Sequence, residues 1–250
     1  MSAVPNALLA LETSGNLGSV AVAVGGEVRA RRFLAEPRAH ASAIVGAIDA
    51  VLMAAGITRQ ALGGVVVGSG PGSFTGVRVA AATGKGLAHA LGCPMWAASS
   101  LAAGALTPEA LPPGAGPWAA PAPGDLPSRR GVLFDARGRR LFAAAFEVSG
   151  VRSKVILDPR FLTLDELLGD DAWQGLALCG DGCESHRSEL SADGRVLLPP
   201  PSGVPTADAL LAGVLAGAVA PLDEPYDWEP TYLRATSAER LLGDSGKPVG

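Results

Sequence analysis

The chain has little of the chemistry that metal sites and disulfide frameworks need. Its 250 residues include three histidines and three cysteines, and the cysteines lack the regular spacing of a disulfide framework. An odd cysteine count without such spacing is typical of a reducing compartment. The histidines His40, His89 and His186 lie far apart in the sequence, in unrelated predicted elements. Because a divalent ion needs several ligands at fixed spacing, we expect no metal site.

Long apolar runs and an excess of positive charge are also lacking. The most apolar stretch, residues 209–222, is rich in alanine and glycine and too short to cross a bilayer. The N-terminus shows no basic segment ahead of an apolar core, as a secretion signal would. The formal net charge of −4 argues against a broad basic surface that binds nucleic acid by itself. We therefore expect a cytoplasmic globular protein that makes no membrane contact.

What the sequence does contain is a glycine-rich turn between a short apolar strand and a long helix. Residues 64–91 read GVVVGSGPGSFTGVRVAAATGKGLAHAL. The valines predict a strand, the glycines a turn, and the helix is predicted to begin near Ser73, with Ser73 or Thr75 as its cap. Free amides and the helix dipole at such a turn suit an anion. An ordinary strand-to-helix turn is the alternative interpretation.

The predicted helix after this turn carries a stripe of small residues with a period of four. Residues at that spacing share one helix face, and a face without bulk lets another helix approach closely. The preceding predicted helix, residues 40–55, contains Asp49 as its single charged residue and is apolar on more than one side. The two helices together predict a protein–protein surface, with packing inside their own domain as the alternative. The predicted interface residues are Ala43, Ala47, Val51, Gly76, Val77, Ala80, Gly84, Leu87 and Ala88.

The sequence resembles the TsaB (YeaZ) family of bacterial tRNA threonylcarbamoyladenosine synthesis. The specific part of the resemblance is GPGSFTGVR at residues 70–78 with the GKGLA that follows it. LALETSGNLGSVAV at residues 9–22, DAR at residues 135–137 and PTYLR at residues 230–234 support it. The resemblance covers most of the chain, apart from the segment after Thr107 and the last few residues.

The chain also repeats its own pattern. Residues 8–24 and residues 132–148 each consist of an apolar run, an acid (Glu12 or Asp135), a glycine-containing turn and a second apolar run. Each half therefore predicts a β-hairpin, and each then supplies a further strand that ends in a glycine turn. This pattern predicts a duplicated α/β unit. The family resemblance implies the actin-like fold of sugar kinases, Hsp70 and actin (the ASKHA superfamily), with two similar lobes.

A proline-dense segment separates the two halves. Residues 108–127 contain seven prolines and no periodic pattern, which predicts a surface insertion in which neither helix nor strand continues. We expect Trp118 to dock onto the protein. The predicted divisions are an N-terminal lobe at 1–106, an insertion at 107–130, a C-terminal lobe at 131–240 and a flexible tail at 241–250.

Familiar catalytic and cofactor motifs are incomplete. GKG at residues 84–86 is similar to the end of a P-loop, but Val79 stands where that motif needs glycine. Gly86 also replaces the hydroxyl residue that would hold magnesium. A zinc site from Cys179, Cys183 and His186 lacks a fourth ligand and the usual spacing. These three are therefore interpreted as ordinary structural residues.

Two loops lie where actin-like ATPases and kinases wrap the phosphates of a nucleotide. In that fold a hairpin turn after an acid forms one side of the phosphate site, and the glycine turn ahead of the long helix would form the other. We predict that both loops persist as scaffold, and weak nucleotide binding is left open. The residues of these vestigial phosphate loops are Glu12, Thr13, Ser14, Gly15, Gly70, Pro71, Gly72 and Ser73.

The resemblance implies a non-catalytic scaffold without cofactor. TsaB pairs with TsaD and supports the ATPase TsaE, and together they transfer threonylcarbamoyl to N6 of adenosine 37 in tRNAs that read ANN codons. TsaD carries two metal-binding histidines four residues apart on its first helix, whereas His40 here is followed by Ile44. The implied partners are TsaD, TsaE and, through the complex, tRNA, with a homodimer when the protein is alone. Two alternatives stay open, an ATP-dependent small-molecule kinase and a stand-alone homodimeric binding protein.

Overall fold

Two five-stranded mixed sheets carry the fold in this computed structural model, which describes residues 4–34, 40–112, 115–118 and 126–233. The first sheet has the order β3-β2-β1-β4-β5 and the second the order β10-β9-β6-β7-β8. The strands of the first sheet are β1 (Ala7–Glu12), β2 (Gly18–Val24), β3 (Glu27–Leu34), β4 (Gly64–Gly68) and β5 (Met95–Ala98). Those of the second are β6 (Arg129–Asp135), β7 (Arg140–Ser149), β8 (Arg152–Thr163), β9 (Ala177–Cys179) and β10 (Val196–Leu197).

The two sheets share one topology. In the first, β1 pairs antiparallel with β2 and parallel with β4, so that Leu9 faces both Val22 and Val65. In the second, β6 pairs antiparallel with β7 and parallel with β9, so that Gly131 faces both Ala145 and Leu178. The third strand of each half extends the hairpin antiparallel, and the fifth pairs parallel with the fourth. This repetition confirms the predicted duplication of an α/β unit.

Helices form three layers around the sheets. They are α1 (His40–Ala54), α2 (Phe74–Leu91), α3 (Ser100–Ala110), α4 (Leu164–Gly169), α5 (Asp181–Ser185), α6 (Arg187–Ala192) and α7 (Ala207–Leu215). The outer face of the first sheet is covered by α1 and α2, and that of the second by α4, α5 and α6. Between the sheets lie α3 and α7. Because both faces of each sheet are covered, central strands such as β1 and β4 are buried along their whole length.

Helix α3 corrects one prediction about the proline-dense segment. The expectation that no helix continues at Pro108 is wrong, because α3 runs to Ala110 with Pro108 inside it. Proline has no N–H to donate to the carbonyl four residues earlier. The Gly203 N–H donates to that Gly104 carbonyl instead, at 2.9 Å. A loop distant in sequence thus satisfies the carbonyl group that Pro108 leaves free.

The described part of the insertion lies against the protein at two places. Trp118 packs edge-on against Phe33 of β3, with ring centroids 5.8 Å apart, which confirms that it docks. The Arg130 guanidinium on β6 forms a salt bridge with Glu109 near the end of α3. Residues 113–114, 119–125 and the predicted tail 241–250 lie outside the described residues. The predicted lobe boundaries stay predictions.

Candidate functional site

The two predicted phosphate loops lie in direct contact with each other. The Ser73 N–H donates to the Ser14 carbonyl at 2.8 Å. A Cβ added to Gly72 would lie 2.5 Å from that same carbonyl oxygen, and one added to Gly76 would overlap the Thr13 carbonyl oxygen. The glycines are therefore needed because one backbone presses on another. No ligand is required to explain them.

Hydroxyl groups fix the start of α2 against the first loop. The Ser73 hydroxyl caps the helix by accepting from the Gly76 N–H at 3.3 Å, which confirms the predicted cap. The Thr13 hydroxyl donates to the Gly76 carbonyl at 2.6 Å. These contacts lock the first hairpin turn onto the first turn of the helix.

Glu12 is buried beneath the two loops with both carboxyl oxygens occupied. Its Oε1 accepts from the Ser14 N–H at 2.6 Å, and its Oε2 accepts from the Ser100 hydroxyl at 2.8 Å. A Cβ on Gly68 would overlap Oε2, so β4 closes over the carboxyl from one side. Burial raises the pKa of Glu12, although the hydrogen bonds from Ser14 and Ser100 lower it. The Glu12 carboxyl therefore joins the end of β1 to the first loop and to the start of α3.

The second loop is bound to the start of α3 by a pair of hydrogen bonds. The Gly70 N–H donates to the Ser100 hydroxyl at 3.2 Å, and the Gly70 carbonyl accepts from the Ser100 N–H at 3.0 Å. The N–H groups of Ser14, Gly70 and Ser73 are thus all committed within the protein. An incoming phosphate would have to break these hydrogen bonds before it could use the amides.

A contact between the lobes joins this region to the matching hairpin of the second sheet. The Asn16 amide donates to Asp181 Oδ2 at 3.4 Å, and Asp181 Oδ1 accepts from the Asp135 N–H at 2.9 Å. Ser185 donates to Asp135 Oδ2 at 3.1 Å. Burial, and secondarily the charge of Asp135, raises the pKa of Asp181. Sequence reasoning placed Asn16 in the first hairpin turn but missed Asp181 and the contact between them, although the glycine turn around Asp181 repeats the one after β4.

The three residues considered for a zinc site belong to the packed interior, as does Ile44. Ile44 is 2% exposed in the core beneath α1, where the second histidine of a metal pair would have to lie. Burial raises the pKa of Cys179 to about 12 and that of Cys183 well above its usual value. Nowhere in the described residues do three or more His, Cys, Asp or Glu side chains group as metal ligands. The His40 side chain lies outside the described residues.

The small stripe on α2 faces its own sheet. Ala80 and Ala88 are fully buried, and a Cβ on Gly84 would overlap Val67 Cγ1 of β4. The prediction that Gly76, Ala80, Gly84 and Ala88 meet a helix of another chain is therefore wrong. Their small size lets α2 lie close to β4 of the same lobe. The other predicted interface residues also pack inward, with Ala47, Val51 and Val77 buried and Ala43 and Leu87 half-buried.

The opposite side of the same two helices forms an exposed surface with little bulk, the α1–α2 outer surface. It contains Val45, Gly46 and Met53 of α1 with Ala82, Gly86 and Ala90 of α2. Val45 is 56% exposed and Met53 is 79% exposed. A Cβ added to Gly46 or to Gly86 would meet nothing within 4 Å. Glycine inside a helix is about 1 kcal/mol less favourable than alanine, and no contact among the described residues accounts for these two glycines.

Comparison with known proteins identifies the family to which this chain belongs. A family model described as TsaD, tRNA N6-adenosine threonylcarbamoyltransferase, matches residues 34–219. The chain belongs to this family. Two solved structures from Pseudomonas aeruginosa match over their whole length and confirm the duplicated actin-like fold. One, YeaZ, has a TM-score of 0.70 at 25% identity and covers 91% of this chain, and the other, described as similar to peptidase YeaZ, has 0.74 at 27% and covers 92%.

Curated relatives within the family include both TsaB and TsaD proteins. TsaB of Haemophilus influenzae is 41% identical over 96 residues, which is 38% of this chain and 40% of that protein. TsaB of Escherichia coli is 35% identical over 94 residues, again 38% and 40%. The threonylcarbamoyltransferase of Maricaulis maris is 41% identical over 81 residues, 32% of this chain and 22% of that enzyme. The matched stretches span less than half of each relative, and the resemblance to TsaB and YeaZ is confirmed.

None of the helices in the described stretches combines the length and the apolar character that crossing a membrane requires.

Proposed function

We propose that this protein is a non-catalytic scaffold subunit in the synthesis of threonylcarbamoyladenosine at position 37 of ANN-decoding tRNAs. It pairs with a TsaD-type threonylcarbamoyltransferase, which carries out the transfer to N6, and it supports the ATPase TsaE. The tRNA is bound by the assembled complex, in the cytoplasm. Relatives named for tRNA threonylcarbamoyladenosine biosynthesis support the pathway, and the TsaD relatives give the class of partner.

The α1–α2 outer surface is the observation that carries this proposal. Apolar side chains such as Met53 remain exposed on it, and Gly46 and Gly86 lower the intrinsic stability of their helices without filling any internal need. Both features are explained when a helix of another protein lies against the surface, because missing side chains allow two helix backbones to approach closely. A TsaD-type partner supplies such helices, since it shares the family and its fold.

The closed state of the phosphate loops supports a scaffold over a kinase. The amides that would receive a phosphate are bound to Ser14, Glu12 and Ser100, and the two loops touch without a gap for a ligand between Ser14 and Ser73. Ile44, buried where a second histidine would be needed, supports the absence of a catalytic metal in this subunit. Catalysis is accordingly assigned to the partner.

Two arginine substitutions on opposite sides of α2 test the proposal. Ala82→Arg places a long charged side chain on the outer surface, while Ala80→Arg places the same group in the buried face. We expect Ala82→Arg to keep its circular dichroism spectrum but to lose the complex with the TsaD-type protein and the reconstituted tRNA modification. We expect Ala80→Arg to unfold, because an unpaired buried charge is costly.

Light scattering with and without the TsaD-type protein separates the remaining outcomes. A folded Ala82→Arg variant that forms the complex at wild-type affinity contradicts the proposed surface. If Ala82→Arg abolishes self-association, and neither the wild type nor the variant binds the TsaD-type protein, the result favours the homodimeric binding protein. Tight magnesium-dependent ATP binding by the wild-type chain in calorimetry favours the kinase.

A further inference from the structure

Residues 219–233, the C-terminal strap, leave the layer between the sheets after α7 and cross the outer side of the first lobe. The Leu222 N–H donates to the Met95 carbonyl at 2.8 Å, on the free edge of the edge strand β5. Leu222 and Trp228 then pack against the outer core beneath α1 and α2. The strap therefore begins in the middle of the molecule and emerges on the α2 side.

Three side chains on one face of α2 hold the strap, mainly through its aromatic residues. Arg78, Lys85 and His89 are spaced by seven and four residues, which places them along one helix face. Lys85 Nζ donates to the Tyr226 carbonyl at 2.8 Å, and the Tyr226 ring packs edge-on against His89. Lys85 also lies 5.9 Å from the centre of the Trp228 ring. These contacts hold half of the strap on one side of α2, and we call them the first seat.

The second seat lies at the start of α2. Arg78 lies 3.9 Å from the centre of the Phe74 ring, and its Nε donates to the Tyr232 hydroxyl at 3.3 Å. The Phe74 and Tyr232 rings are 5.5 Å apart. Beside them the Thr231 N–H donates to the Ser69 carbonyl at 2.9 Å, immediately after β4. This seat brings the end of the strap back to the junction between the lobes.

Leu233, the last residue of the strap, lines a cavity that is otherwise formed by the second lobe. Its side chain packs against the core between the sheets and lines a cavity of about 490 Å³. The other lining residues are Arg160, Phe161 and Leu162 of β8, Glu166 of α4, and Asp170. The strap therefore spans from the α2 face of the first lobe to the β8 edge of the second.

We propose that the strap is a lid, and that its two seats on α2 decide whether the cavity beside β8 is covered. The contacts that hold it include exposed rings, the Arg78 and Lys85 side chains and two backbone hydrogen bonds to Met95 and Ser69, and such contacts are typical of segments that open locally at low free energy. The strap contains four acidic residues, and salt screens any attraction between charges of opposite sign on the strap and on α2. These acids are Asp223, Glu224, Asp227 and Glu229. The lid does not depend on the partner proposed for the α1–α2 outer surface.

Amide hydrogen exchange of the full-length chain tests the lid. In the Arg78→Ala/Lys85→Ala variant we expect peptides that report Leu222 and Thr231 to exchange about tenfold faster than in the wild type. Peptides from the end of β8 and from α4 should accelerate with them, while peptides from β1 and β4 keep wild-type protection. Arg29→Ala, which removes another exposed arginine that forms a salt bridge with Glu27, is the matched control and should change none of these.

Each possible exchange result either supports or contradicts the lid. Faster exchange in the strap with unchanged β8 and α4 contradicts the lid, because the strap then opens without uncovering the cavity. Unchanged exchange in the strap contradicts the two seats. If the double variant loses protection throughout the protein, the milder variant Tyr232→Phe, which removes one hydroxyl, is used in its place. Unchanged exchange of the strap in Tyr232→Phe would also contradict the proposal. Raising the salt concentration on the wild type should accelerate strap, β8 and α4 peptides together.

Discussion

Replacing both outer glycines by alanine should stabilise the isolated protein and weaken its assembly. Gly46 and Gly86 lie inside α1 and α2, and an added methyl group at either position would meet nothing within 4 Å. Alanine is favoured over glycine inside a helix by about 0.5–1 kcal/mol. The double variant should therefore gain about 1–2 kcal/mol in the free energy of unfolding, which corresponds to a rise in Tm of about 2–8 °C for a chain of this size.

The same two methyl groups occupy the space that the proposed partner helix needs. Overpacking of a close contact costs about 1–3 kcal/mol. We therefore expect Kd for the TsaD-type partner to rise by about tenfold, which corresponds to about 1.4 kcal/mol. Scanning calorimetry measures the first effect and titration of the partner by calorimetry the second. Opposite signs for stability and for binding are the characteristic result.

Gly84→Ala is the matched control on the inward side of α2. Its methyl group would overlap Val67 Cγ1, so this variant should lose about 1–3 kcal/mol of stability. The reasoning is refuted if the Gly46→Ala/Gly86→Ala variant is less stable than the wild type. It is equally refuted if that variant is more stable and binds the partner with unchanged Kd.

Three further changes probe the interior. Burial raises the pKa of Glu12 above its ordinary value of 4.5. The contribution of Glu12 to stability is therefore complete below pH 4.5 and is lost as the pH rises through the folded-state pKa. Glu12→Gln should flatten this part of the dependence of Tm on pH. Arg31→Ala removes the cation 2.7 Å from the buried Asp208 carboxyl and should lower the free energy of unfolding by about 3 kcal/mol in denaturant titrations, with a loss below 0.5 kcal/mol counting against the pair. Under native conditions a thiol reagent should modify the half-buried Cys93 first, and rapid modification of all thiols would contradict the burial of the other two.

The local structure around α2 could be read from the sequence, but its orientation could not. The strand, the glycine turn and the Ser73 cap follow from local chemistry, as does the repeated hairpin pattern. The helix, however, has two stripes of small residues, one through Ala80 and Gly84 and one through Ala82 and Gly86. Stripes two residues apart lie about 200° apart around a helix. Periodicity identifies both and cannot tell which faces the sheet, because that depends on β4 lying beneath Gly84.

Contacts between distant parts of the chain account for the other differences. Helix α3 continues through Pro108 because the Gly203 N–H donates to the Gly104 carbonyl. No local sequence pattern near Pro108 predicts a hydrogen bond from Gly203. The phosphate loops are likewise closed by Ser100, a residue that belongs to the start of α3. The loop composition indicates an anion site, whereas contacts among three separate segments engage the N–H groups of Ser14, Gly70 and Ser73.

The position of α7 between the sheets has a consequence for the order in which the protein is made. The inner sides of β1, formed by Leu8 and Ala10, pack in the same core as Leu210 and Leu211 of α7. A ribosome releases the first strand long before it releases that helix. The inner face of β1 therefore stays open to water until α7 has been made. A newly made first lobe exposes apolar surface of the kind that favours aggregation, and its core is completed only when α7 packs between the sheets.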